Sequence, residues 1–104
     1  MSSAKPVVVS MEPNEHDQYE LEGELSFASV PDICDRIVEV IKGRSELIVN
    51  LAKVSRSDSA GVAMLLDWVH IAREQDVDIH FLNMPEQMMA IARVSGLDEI
   101  LIKA

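Results

Sequence analysis

Apolar residues recur along the chain with two periods, and the period changes from one segment to the next. In "YELEGELS", Tyr19, Leu21, Gly23 and Leu25 alternate with Glu20, Glu22 and Glu24. A two-residue period sends alternate side chains to opposite sides of an extended backbone, so a strand with one solvated face is predicted. "KPVVVSM" reads as a strand before it, ended by the polar loop "EPNEHD", and "VDIHFLNM" as another near the end. "ELIVNLA" is a short apolar run suited to the centre of a sheet.

Between Ser29 and Lys42 the period lengthens to three and four, which gathers Val30, Ile33, Ile37, Val38 and Ile41 on one helical face. Ser29 is a candidate cap, Pro31 suits a first turn, and Gly43 follows as a stop. A longer helix is predicted from Asp58 or Ser59 to about Gln75. A third starts around Asn83, Pro85 and Glu86, carries Met88, Met89, Ile91, Ala92 and Val94, and is closed by Gly96. "LDEILI" finishes the chain as a short strand or turn. The order β-β-α-β-α-β-α predicts an α/β fold, with a mixed sheet of about four to five strands and helices packed mainly on one face. Residues 1–104 form a single domain on this reading.

Composition changes the picture in three ways. Hydrophobic residues make up 48% of the chain, enough for a core, but only two Phe, one Tyr and one Trp contribute to it, so that core is aliphatic. The 18 acids outnumber nine bases, for a formal charge of −9. Nucleic-acid binding requires clustered Lys and Arg, and an anionic membrane surface repels such a chain, so neither is an expected partner. No run approaches the roughly 18 to 20 apolar residues of a membrane span, no signal-peptide core is visible, and Cys34 has no cysteine to pair with. A cytoplasmic protein without direct membrane insertion is expected.

The chemistry worth weighing sits in "VSRSDSAGVAMLLDWV". Ser57 or Asp58 is placed to cap the following helix by accepting hydrogen bonds from its free N–H groups. Gly61 fits a point of close helix packing. A serine nucleophile needs a base within about 3 Å. His70 lies eleven residues from Ser59, roughly 16 Å along a helix. No G-x-S-x-G elbow is present. Three scattered histidines and a single cysteine supply no metal motif, and no Gly-rich loop with lysine cradles a nucleotide. Glu22 and Glu24 are about 6.6 Å apart on one strand face, which a solvated edge explains. No catalytic residue, metal or cofactor is expected. Ser59, by contrast, stands at a helix start, where backbone N–H groups favour negative charge, so it is a candidate for phosphorylation.

Helical projection also separates two apolar stripes. Val62, Leu65, Leu66, Val69 and Ala72 gather on one face; Met64, Trp68 and Ile71 lie about 130° away. The second stripe is either a protein-binding surface, for which Trp and Met are favoured, or core covered by the helices that begin near Ser29 and Pro85.

"LIVNLAKVSRSDSAGVAMLLDWV" resembles the central signature of STAS domains, a hydrophobic strand followed by Asp-Ser/Thr-small-Gly and an apolar helix. "FLNMPEQMMAIARVSGLDEIL" is similar to the family's closing strand, Asn-containing loop, helix and Gly-Leu, and "YELEGELS" to its second strand. The resemblance spans about Tyr19 to Ile102 and implies binding rather than catalysis. In anti-sigma-factor antagonists of the family, a partner kinase phosphorylates the hydroxyl after the motif aspartate, here Ser59; Ala60 replaces a second serine found in many of them. "VSRSDSAGVAMLL" with "IAREQ" looks closer still to the STAS subunit of Mla phospholipid-transport ABC transporters, the MlaB type. That likeness implies a cytoplasmic ATPase subunit as partner and, through it, the permease. The protein would be peripheral to the inner membrane and would serve outer-membrane lipid asymmetry. Ser57, Asp58, Ser59, Ala60 and Gly61 would form the contact region, extended by Met64, Trp68 and Ile71.

Overall fold

The segment read as a strand of alternating glutamates is extended over Tyr19–Leu25 (β2), and it lies between two others. A computed structural model describes residues 9–103. The first strand (β1) runs Val9–Pro13 and pairs antiparallel with β2; the part of its predicted span from Lys5 to Val8 lies outside the described residues. Two short helices follow, Val30–Ile33 (α1) and Arg36–Val40 (α2). After them come Glu46–Ser57 (β3), Ser59–Glu74 (α3), Asp78–Leu82 (β4), Glu86–Val94 (α4) and Asp98–Lys103 (α5). The strands form one sheet in the order β1-β2-β3-β4, with β3 parallel to both β2 and β4. It is a single α/β domain with a four-stranded mixed sheet.

The sheet has a covered and an open face. Met11, Leu21, Leu25, Leu47, Val49, Leu51 and Ile79 are buried, facing the helices, and join Ile33, Ile37, Ile41, Leu65, Val69, Ala72, Met88, Ala92 and Leu101 in one aliphatic core. The alternate residues point away. There Asn14 bonds Glu20 and Gln18, Gln18 meets Asn50, Asn50 meets Asn83, and Lys53 pairs with Glu20 at 3.1 Å. The period-two pattern therefore predicted which face is solvated.

Three local expectations are corrected. The helix predicted from Ser29 to Lys42 is broken at Cys34 and Asp35. An unbroken helix would bring the Val38 N–H to the Cys34 carbonyl. Instead Val38 donates to Asp35 O, and the freed Cys34 carbonyl accepts from Trp68 Nε1 at 3.0 Å. Ser29 does not cap the helix: it is fully buried, where its Oγ donates to Glu24 O and accepts from Ser26 N, tying the end of β2 into a turn. "LDEILI" is helical, because Asp98 and Glu99 suit a helix's first turn and Leu101 reaches the core. β3 also extends past "ELIVNLA" to Ser57, since it carries one extra residue opposite Glu20–Glu22 and another opposite Gly23–Glu24, and the pairing continues as far as Leu25 opposite Ser57.

Candidate functional site: the start of α3

The junction of β3 and α3 is held by one carboxylate used twice. Asp58 is extended, and its Oδ1 accepts from Ala60 N at 2.8 Å, satisfying one of the free N–H groups at the helix start. Its Oδ2 accepts from Phe27 N at 3.2 Å, and its own N–H donates to Leu25 O at 3.0 Å. The loop after β2 is thus fastened to the first turn of α3. Ser57, the last residue of β3, is buried; its N–H donates to Gln87 Oε1 at 3.1 Å and its hydroxyl to Asp58 O. This second tie brings in α4.

Gly61 sits where no side chain fits. A Cβ there would lie 2.9 Å from Leu25 Cβ and would overlap Ser57 Oγ. Glycine lets α3 descend onto the ends of β2 and β3, in agreement with close packing. Gly61 and Ser57 are therefore buried parts of the junction, with the close packing setting the residue at Gly61. Ser59 and Ala60 are placed differently. Ser59 is exposed and Ala60 half-buried, and both line a hollow of about 330 Å³ with Phe27, Val62, Ala63, Leu66, Ile91, Ser95 and Leu97. Among the described residues the Ser59 hydroxyl makes no hydrogen bond, and no group of acids, histidines and cysteines is arranged to hold a metal ion.

Met64 and Trp68 of the second apolar stripe are core. Trp68 has no exposed surface and Met64 only 3%. α1 and the turn after it cover them, with the indole N–H donating to Cys34 O. Of the two readings of this stripe, covered core is the one that Met64 and Trp68 follow: a buried indole needs a hydrogen-bond acceptor, and the broken helix supplies it. Ile71 is half-buried and lines a separate cleft of about 520 Å³ with Val38, Ile41 and Gly43, away from Ser59. Of the eight nominated positions, the surface beside the capped helix keeps Ser59, Ala60 and the rim of Asp58.

A family model described as "Mlab, STAS domain" matches residues 10–103. The chain belongs to the STAS domain family. Its curated relatives include the anti-sigma-B factor antagonist of Bacillus subtilis, 24% identical, the match covering 89% of this STAS domain and 86% of the relative. The anti-sigma-B factor antagonist of Staphylococcus epidermidis is 27% identical, with 89% and 90% covered. Among solved structures, the anti-sigma factor antagonist SpoIIAA in its unphosphorylated form superposes with a TM-score of 0.69 at 22% identity, over 93% of this chain and 88% of that one. An anti-sigma factor antagonist from Mycobacterium paratuberculosis reaches 0.72 at 16% identity, over 97% and 87%. These likenesses establish the shared fold.

Sequence reasoning singled out none of Phe27, Val94 and Gln87. Phe27 is 74% exposed beside Ser59, and Val94 is 90% exposed on α4. A lone Phe among small residues in "LSFASV" is the available signal for the first; Val94 is read in the sequence only as one of the apolar residues its helix carries. Gln87, which ties Ser57 to α4, carried no signal. Nearby, burial first and the Asp35 charge second push the Cys34 thiol up, away from the reactive thiolate form.

Proposed function

We propose that this STAS domain is a non-catalytic docking subunit that binds the cytoplasmic ATPase subunit of an Mla-type phospholipid-transport ABC transporter, using the surface centred on Ser59. The observation that carries the docking role is the exposed Ser59 at the lip of an apolar hollow, beside an exposed Phe27. A concave apolar surface on a small domain fits a protein partner, and the hydroxyl has no base or metal ligand arranged around it. The choice of ATPase is supported by the "VSRSDSAGVAMLL" likeness and by the Mlab description of the family model over residues 10–103. The domain would stay in the cytoplasm and reach the membrane only through the permease; no helix among the described residues is long and apolar enough to cross one. No cofactor is required.

A second reading has a specific basis, and more of the comparisons carry its name: an anti-sigma-factor antagonist in which a serine kinase modifies Ser59. Its physics is sound. Ser59 lines an almost wholly apolar hollow, so a phosphate of about −1.5 to −2 charges would bring a strongly hydrated group into a contact that must lose its water. Phosphorylation would switch docking off.

One experiment separates the two. Tagged protein is recovered from its native host beside Ser59→Trp, which fills the hollow without touching the core, and partners and Ser59 are read by mass spectrometry. An ABC ATPase recovered with wild type alone, and unmodified Ser59, supports the transporter subunit. A serine kinase or anti-sigma factor, with phosphate on Ser59, replaces it with the antagonist.

A further inference from the structure

We propose that the groove beside Ser59 receives a basic amphipathic helix of the partner protein, packed around Phe27. This rests on the docking role above and adds the chemistry of what docks.

The groove is longer than the hollow at Ser59. A second hollow of about 430 Å³ lies on the other side of Phe27 and shares Phe27, Ala60 and Ala63 with the first. It continues to Val30 and Cys34 and is edged by Asp67. In the opposite direction Ile91 and Ser95 lead to a shallower hollow under Val94. The first turns of α3, from Ser59 to Asp67, line it over about 12 Å at 1.5 Å per residue. Such a groove matches the recognition mode in which a helix lays apolar side chains at i, i+3 or i+4 and i+7 along a partner.

Charge selects the occupant. Asp67 is the one charged residue lining the two hollows at Phe27, Asp58 directly precedes Ser59, and the whole chain carries a formal charge of −9. A helix flanked by Lys or Arg is steered to such a surface. A second copy of this chain would bring acid against acid, and an anionic lipid surface would be repelled.

The test uses the full chain, isotope-labelled for NMR, titrated with a synthetic Leu/Lys amphipathic helix and with its Leu/Glu counterpart. Shifts gathered on Ala60, Ala63, Leu66, Ile91 and Leu97, with the Leu/Lys peptide alone, are expected. Phe27→Ser weakens that binding by about tenfold or more. Asp67→Asn weakens it less and flattens its salt dependence. Because Phe27 is exposed, the variant's spectrum also shows directly that it remains folded. Shifts confined to the open sheet face around Glu12, Glu20 and Glu22, equal binding of the Leu/Glu peptide, or no binding overturns the proposal. A wild-type dimer in sedimentation that Phe27→Ser dissolves replaces the helix with a second copy. With the recovered native partner, loss of binding in Ser59→Trp but not in Phe27→Ser rejects the helix and leaves the docking function standing. Unchanged binding in both rejects the two together.

Discussion

Trp68 and Phe27 are large aromatic side chains that the fold treats in opposite ways. Trp68 stands in the middle of α3 with no exposed surface, its indole N–H on the Cys34 carbonyl; Phe27 stands in a loop, 74% exposed, with only its backbone tied down, to Asp58. The difference lies in what each neighbourhood can satisfy. Under Trp68, a helix gives up its regularity so that a carbonyl can receive the indole, and the ring then excludes water. Around Phe27 the backbone amides are engaged, Phe27 N with Asp58, Ala28 N with the Ser26 hydroxyl and Ser29 N with Ser26 O, and the ring is left without a cover. A fully covered aromatic stabilises the fold, while an uncovered one fastened beside a candidate contact residue is available to a partner.

The contrast is broken most severely by Trp68→Ala, which empties the largest buried site. A loss of about 3 to 5 kcal/mol is expected, read as a fall in the urea midpoint; a loss below about 1 kcal/mol would refute the burial. Trp68→Phe keeps most of the volume but leaves Cys34 O without its donor, so a smaller loss is expected. Gly61→Ala comes next. The added methyl meets Leu25 Cβ and Ser57 Oγ, so about 1 to 3 kcal/mol is lost and the helix start shifts outward, visible as a lower melting temperature. Asp58→Ala removes the cap and costs about 0.5 to 2 kcal/mol. It also frees the Phe27 amide, whose hydrogen exchange should quicken while the α3 centre stays protected. Phe27→Ser changes stability by no more than about 0.5 kcal/mol yet weakens docking by about tenfold or more, the inverse of Trp68→Ala.

The smallest effect lies on the open sheet face, a control remote from both aromatics. Hydrogen bonding by Asn14, and next by Lys53, holds the Glu20 carboxyl below the usual carboxylate range. A depressed folded value means that the contribution is present above the unfolded value and is lost as pH falls through the folded one. Carboxyl NMR titration should find Glu20 low, and Asn14→Ala should raise it while leaving peptide binding unchanged.

Much of the architecture was legible because periodicity is a local property. The alternation in Tyr19–Leu25 marked the solvated face, and the long helix, its Asp58 cap and the Gly96 stop follow from side chains acting within a few residues of themselves. The second stripe was not legible in the same way. Met64, Trp68 and Ile71 share a face by arithmetic, but whether that face meets solvent depends on α1, more than thirty residues earlier in the chain. The split of the predicted Ser29–Lys42 helix was hidden for the same reason, since its cause is the Trp68 indole.

What the sequence determined alone is therefore the order of the strands and of the two longer helices, the sheet's polar side, the capped start of α3 with Ser59 on it, and the family signature. Tertiary structure decided which apolar residues remain outside. Asp58 and Gly61 bring the end of β2 against α3, and Trp68 draws the Cys34 turn over Met64, leaving Phe27 uncovered beside Ser59 and Val94 uncovered on α4. Exposure depends on which distant segment arrives, and no local pattern encodes that arrival.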